Sequence, residues 1–518
     1  MNKSSIKNYA VWARNELIER VSQKAYEYGV TESSIPALNT ETINGRLLSQ
    51  EEKKQLNELI REVKTNSFHH VIEEVAYTWF NRFIALRFME VNNYLPQRIR
   101  VFTNENNEFK PEILTEAIHI EIDGLDKQKV FDYIEKNNEE ELYKYLLLTL
   151  CNDMNSYLPD MFTSIKDYKT LLFPNNLLRE DSVLDKLVKD IDEEDWKDTS
   201  DDGIGCSNAI TIIGWMYQYY ISERHNQVIN ILKGTVKKED IPAATELFTT
   251  DWVVRYMVDN SLGRYWIERN PNSELRKKLK FLATSKNDTL PVVENDPVKP
   301  EDITFFDPCM GSGHILAYAF DVLMEIYREC GWSDKDAAIS IVENNLYGMD
   351  IDERAYQLAY FSMMMKGCFY NRRFLRAKVN NHISYYIETN DIHFLSYEGM
   401  KETDDMKTIS KYLLSTFKDA KELGSLIEVK PLDFITYRNK LVEIYNNADY
   451  TMDSMEWIDD KYPIALKLIK QADILSRKYI ATVTNPPYMS KMEGILKKFV
   501  TTNYKDYSSD LFAVFVRI

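Results

Sequence analysis

The sequence predicts an α/β chain, with a doubly wound parallel sheet in its second part and an all-α N-terminal domain before it. Three observations carry this. Up to about Gln227 the apolar residues recur at helical spacing. After Glu301 short apolar strands alternate with helices, the signature of a parallel sheet. Those strands end in acids, glycines or a proline pair, the residue types that shape ligand loops at the carboxyl ends of parallel strands. The division is placed so that 1–236 form the helical domain and 237–518 the Rossmann-like one.

Taken in order, Phe68 to Glu90 is the clearest helix, with Val71, Val75, Trp79, Phe83, Leu86 and Met89 on one stripe. Ala209 to Ile221 reads as a second buried helix. Glu180 to Asp202 holds eleven acids against three lysines and reads as a solvated loop or surface helix end. Lys237 to Ala244, with Pro242, is the expected link, and Ser285 to Pro300, with three prolines, a surface loop. Strands are expected at Ile303 to Phe306, Asn345 to Met349 and Tyr479 to Thr484, and helices at His314 to Cys330 and Ala355 to Lys366.

Composition narrows the function. The 518 residues carry 64 basic and 81 acidic side chains, a net charge of −17, which opposes a generic polycation coating nucleic acid but leaves room for a local basic groove. The five cysteines are an odd number with no Cys-x-x-Cys pair, which fits reduced thiols and opposes a disulfide framework or a thiolate zinc site. No apolar run reaches the ~18 residues of a membrane span and the N-terminus has no apolar signal core, so a soluble, cytoplasmic protein without membrane contact is expected.

Three loops carry the chemistry. Asp307-Pro308-Cys309-Met310-Gly311-Ser312-Gly313 follows a strand and opens a helix, letting bare backbone approach a nucleoside-bearing cofactor. The third glycine of the dinucleotide fingerprint is absent, and the acid that opens the loop suits a cationic ligand such as S-adenosylmethionine better than a pyrophosphate. Gly348-Met349-Asp350-Ile351-Asp352 closes the next strand. Asp350 is placed to accept ribose hydroxyls, while Asp352 has a plainer reading as a helix cap.

Asn485-Pro486-Pro487-Tyr488 follows the third strand. The prolines fix the backbone and remove two amide donors, leaving carbonyls outward. The Asn485 side-chain oxygen and the Pro486 carbonyl then accept both hydrogens of an exocyclic amino group, and Tyr488 offers a flat face to an extruded base.

These loops resemble the cofactor and catalytic motifs of amino-directed DNA methyltransferases of the N6-adenine kind. Phe248-Thr249-Thr250-Asp251-Trp252, running on to Val258, is similar to the family's extra motif over the cofactor, and its position ahead of the glycine loop matches the gamma class. The stretch from Ile241 through Val258, with the helical region ahead of it, is more narrowly similar to the large methyltransferase family of bacteriophage-exclusion systems.

The resemblance implies a Rossmann-like, S-adenosylmethionine-dependent enzyme that methylates adenine N6 in double-stranded DNA after base flipping. Thr249, Asp307, Pro308, Gly311, Gly313, Asp350 and Asp391 would serve the cofactor, with Asp391 at the cofactor adenine. Asn485, Pro486, Pro487 and Tyr488 would be catalytic, no metal is expected, and other phage-exclusion proteins are implied partners.

For DNA contact, the segment from Arg354 to Ile387 lacks any acid and holds six cations. Arg372, Arg373, Arg376 and Lys378 are expected to line a groove beside the active site, with a solvated basic loop the plainer reading. Pro308-Cys309 is read as a packing cysteine rather than a nucleophile, and His69-His70 as helix surface.

Only 30 residues follow Tyr488. The family sheet needs further strands and a target-recognition domain, so the chain is expected to be the front part of a longer enzyme. A non-catalytic cofactor-binding and partner-docking module is the alternative, and a protein glutamine-N5 methyltransferase a second.

Overall fold

A computed structural model describes residues 1–163, 167–198, 208–226, 241, 249–285, 287, 290–294, 296–397, 400–448, 451–489 and 492–517. The expected link at Lys237 to Ala244 and the 236/237 boundary lie, apart from Ile241, outside the described residues. The chain divides into two compact units, Met1–Thr199 with Ser207–Glu223, and Arg224–Ile518 with Ser200–Cys206.

The first unit is built on helices. α1 (Lys3–Glu27) is capped by Asn2, whose side chain accepts from the Ser4 and Ser5 amides, and buries Tyr9, Ala13, Leu17 and Val21. α2 (Gln50–Asn66) starts in a reciprocal Ser49–Glu52 capping box. α3 (Phe68–Val91) carries the stripe read from the sequence, and all six of its stripe residues are buried.

α3 is buried on nearly every side, polar residues included. Arg87 and Glu90, both wholly buried, pair at 2.6 Å, and Glu90 also accepts from the amides of Val101 and Phe102 and the hydroxyl of Thr103. Buried charges persist where such partners satisfy them.

Two features differ from the sequence reading. A two-stranded antiparallel hairpin, β1 (Thr42–Ile43) with β2 (Arg46–Leu47), interrupts the region expected to be wholly helical. The acidic run is not merely solvated. Ser182 caps a helix over Val183–Lys189, Asp185 is buried and pairs with Lys189 at 3.0 Å, and Trp196 is fully buried. Two aliphatic pairs and a tryptophan, spaced between the acids, pull the stretch into the core.

The second unit is organised around a four-stranded sheet of β3 (Phe305–Asp307), β4 (Leu346–Asp350), β5 (His382–Tyr385) and β6 (Ala481–Thr482). The order is β5-β4-β3-β6 and every pairing is parallel. The order reverses between β3 and β6, which opens a crevice at their carboxyl ends. Helices α4 (Asp251–Val258), α5 (His314–Glu329) and α6 (Glu353–Tyr370) precede or connect the strands.

Between β5 and β6 the chain inserts a helical layer, including Asp404–Thr416, Phe434–Asn446 and α7 (Tyr462–Ser476). Leu413, Phe434, Leu441, Trp457 and Leu468 pack there with Phe306, Tyr347 and Met349 of the sheet.

Candidate active site

The glycine loop grows directly out of β3. Asp307, fully buried, accepts from the Cys309 amide through Oδ1 at 3.1 Å and so bends the chain into the turn. The Met310 amide donates to the Met349 carbonyl and the Gly311 amide to Asp350 Oδ2 at 2.8 Å, so the loop is stitched to the end of β4. Gly313 has φ +81, and a Cβ there would come within 2.9 Å of the Ala359 Cα on α6. Only glycine meets both demands. Gly311 has φ +53 and open space where a Cβ would stand, leaving its backbone approachable.

Both acids are held in unusual environments. Burial pushes the Asp307 carboxyl up to about 7, with the Thr484 hydroxyl and the Cys309 amide drawing it back and Asp350 adding to the rise. Thr484 stands near enough to oppose the rise without reaching hydrogen-bond geometry, because Asp307 Oδ2 and Thr484 Oγ1 are both buried without a hydrogen-bond partner. Burial likewise raises Asp350 to about 7, against the opposing amides of Asp352 and Gly311. Asp352 caps α6 by accepting from the Arg354 amide and pairs with the Arg354 side chain, as its plainer reading had it.

An orphaned buried carboxylate oxygen beside the open Gly311 backbone fits S-adenosylmethionine. Asp307 Oδ2 is an acceptor in want of a donor, and a cationic ligand favours the ionised form that burial opposes.

The Asn-Pro-Pro-Tyr loop follows the adjoining strand. The Val483 amide donates to the Phe306 carbonyl at 2.9 Å, so the backbone entering Asn485 runs beside the backbone entering Asp307. Asn485 Nδ2 donates to Thr249 Oγ1 at 3.1 Å, across 236 positions of sequence, and the Tyr488 hydroxyl donates to Asn485 Oδ1 at 2.6 Å. Tyr488 is 49% exposed and its ring stacks on Phe512 at 5.7 Å between centroids and 25° between planes. The structure thus brings Asp307, Pro308, Gly311, Gly313 and Asp350 together at one loop, and Thr249, Asn485 and Tyr488 at the next. Asp391 is exposed, in a turn that follows the carboxyl end of β5.

The basic segment is elsewhere. Arg372, Arg373, Arg376 and Lys378 are exposed, but they precede β5 and lie at the amino edge of the sheet, where Asn380 and His382 bond to Glu343 ahead of β4. The three loops sit at the carboxyl edge, so the groove expected beside the active site is not formed by these side chains. The reason is topological: α6 runs back from the carboxyl to the amino edge before the arginines begin. Two of the six cations are also committed elsewhere, Lys366 to buried Asp321 and Arg354 to Asp352.

Sequence reasoning missed Ser425, whose hydroxyl donates to the Pro308 carbonyl and accepts from Tyr386 at 3.2 Å. It reaches the glycine loop from a tight bend in the helical insertion, where Gly424 has φ +51. No local pattern marks that approach. Cys309 lies against the same Ser425, and burial and the two nearby acids push its thiol far up, as suits packing rather than attack. His69 faces Glu32 at an exposed surface. Among the described residues no group of His, Cys, Asp and Glu could hold a metal ion, and no helix is long and apolar enough to cross a membrane.

A parallel sheet of this order, with a glycine loop and an Asn-Pro-Pro-Tyr loop on neighbouring strands, is an α/β methyltransferase arrangement, and residues 344–518 match the model of the Eco57I restriction-modification methylase family. Along its whole length the chain is a relative of two curated proteins. It is 36% identical over 556 residues to the adenine-specific methyltransferase PglX of Lacticaseibacillus casei (strain Zhang), and 34% identical over 562 residues to the adenine-specific methyltransferase BrxX of Escherichia coli O9:H4 (strain HS). The chain spans about 45% of the length of each. The solved structure of the Type IIL restriction-modification enzyme MmeI in complex with DNA aligns with 76% of this chain and 50% of its own at 16% identity, but its TM-score of 0.30 carries no weight for the fold.

Proposed function

We propose that this chain carries the cofactor and catalytic loops of a site-specific, gamma-class DNA adenine-N6 methyltransferase that uses S-adenosylmethionine and serves a phage-exclusion system. The observation that carries the reading is the side-by-side emergence of Asp307 and Asn485 from paired strands, in a chain related throughout to adenine-specific methyltransferases. On this reading 1–236 form the helical domain, 237–518 the catalytic one, and other phage-exclusion proteins are partners.

Asp307, Pro308, Gly311, Gly313 and Asp350 would hold the cofactor, with Asp391 at its adenine. When bound, S-adenosylmethionine supplies an electrophilic methyl group. Asn485 Oδ1 and the Pro486 carbonyl accept the two hydrogens of the target amino group, which turns the nitrogen lone pair toward that methyl. Pro487 fixes the backbone direction, and the Tyr488 ring supports an adenine extruded from double-stranded DNA. Direct in-line transfer needs no covalent enzyme intermediate, because orientation does most of the work.

Calorimetry with S-adenosylmethionine, run beside labelled-methyl transfer to unmethylated genomic DNA, tests this. Cofactor binding with label recovered as N6-methyladenine is the expected result. Binding without transfer would select the docking-module reading, and label in protein but not DNA the glutamine one.

A further inference from the structure

We propose that Thr249 is a positioning residue for the catalytic amide, holding Asn485 in the rotamer that presents its oxygen to the target amino group. This rests on the methyltransferase reading and assigns Thr249 a task other than contact with the cofactor. An asparagine between two hydroxyls can be placed either way round, and the distances decide between the two. The 2.6 Å contact to the Tyr488 hydroxyl is a normal O–H···O length and too short for N–H···O, whereas the 3.1 Å contact to Thr249 suits N–H···O. The oxygen therefore faces Tyr488 and the open side, and the amide nitrogen is tethered to Thr249.

The tether is firm at its far end. Thr249 immediately precedes Thr250, whose carbonyl accepts from the Val253 and Val254 amides at the start of α4, and α4 buries Val254, Arg255 and Val258. A β-branched side chain there has few rotamers to lose. Tyr488, half-exposed, occupies the acceptor from the other side and is the group an incoming amino donor would replace. Without the Thr249 hydroxyl the amide is free to turn over, and its NH2 would then meet the donor hydrogens of the substrate.

The test compares Thr249→Val, which keeps the shape without the acceptor, with Thr249→Ser, which keeps the acceptor. Single-turnover methyl transfer to unmethylated genomic DNA is expected to fall about tenfold in Thr249→Val, the scale of one ordinary hydrogen bond, and to recover largely in Thr249→Ser. The S-adenosylmethionine Kd is expected to stay within about twofold of the wild type in both.

In 15N-asparagine-labelled chain, the Asn485 side-chain resonances, identified by their loss in Asn485→Ala, are expected to shift in Thr249→Val and stay in place in Thr249→Ser. Unshifted resonances, an undiminished rate, a loss caused by weaker cofactor binding, or a serine variant as slow as the valine one would each overturn the proposal. The methyltransferase reading fails separately, if the wild-type chain binds no S-adenosylmethionine at all.

Discussion

Two buried carboxyls set the behaviour of the site at the scale of single residues. Asp307 and Asp350 titrate near 7 in the folded chain and near 3.8 when unfolded, so their neutral forms favour the fold below about pH 4, and that contribution drains away as pH rises to about 7. A cationic cofactor reverses the preference, since it draws the ionised form. S-adenosylmethionine affinity, measured by calorimetry between about pH 6 and 8.5, should therefore rise through about 7 and level off. A flat profile would mean that the carboxyls do not meet the ligand.

Asp307→Asn separates the two demands. Its amide nitrogen can take the place of the orphaned Oδ2 beside Thr484, so thermal melts at pH 8 should show a more stable ligand-free protein, by a few kcal/mol at most, together with weakened cofactor binding. Asn485→Ala should leave cofactor binding intact and lower methyl transfer by about 10²–10³-fold, the cost of losing one organising polar group. These residues were legible because each sits in a contiguous motif. Ser425 and the Thr249–Asn485 bond were not, since they join positions more than a hundred residues apart.

Elements tell a similar story of local clarity. β3, β4 and the helices α5 and α6 fall within a few residues of where the hydrophobic pattern put them. β5 went unread because His382-Ile383-Ser384-Tyr385 holds one aliphatic residue, and it becomes a strand only by pairing with β4. The helices between β5 and β6 were likewise not anticipated.

The glycine loop makes a sharp demand on its element. Gly313→Ala combines a left-handed backbone with a clash against α6, so it should cost about 1–3 kcal/mol in a denaturant melt and weaken cofactor binding. The arginine loop makes the opposite kind of prediction. With Arg372, Arg373 and Arg376 all changed to Ala, DNA affinity and its dependence on salt should match the wild type, because the loop faces the other edge of the sheet. A shallower salt slope would return those side chains to the DNA.

For the molecule as a whole, the net charge of −17 does not divide into an acidic half and a basic one. Acids of the Glu180 region pair with lysines in the first unit, while two of the cations counted toward a DNA surface neutralise acids within the second. Composition could not reveal this, because it records which charges exist and not which are already matched. Each unit has its own buried core, so the segment 1–236 made alone should give a helical circular-dichroism spectrum and melt cooperatively. A non-cooperative melt would show that its core depends on the remainder.

The placement of β6 also bears on how the chain comes to be assembled. The Ile480 amide meets Thr304 across 176 residues, a span that takes in β4, β5, the helices beside them and the helical layer. At the ~5–20 residues per second of protein synthesis, the edge of β3 that β6 will cover waits roughly 10–35 s for its neighbour to be made. The glycine loop is therefore translated well before the strand that pairs beside it, and closing this most distant pairing among the described strands is expected to be slow.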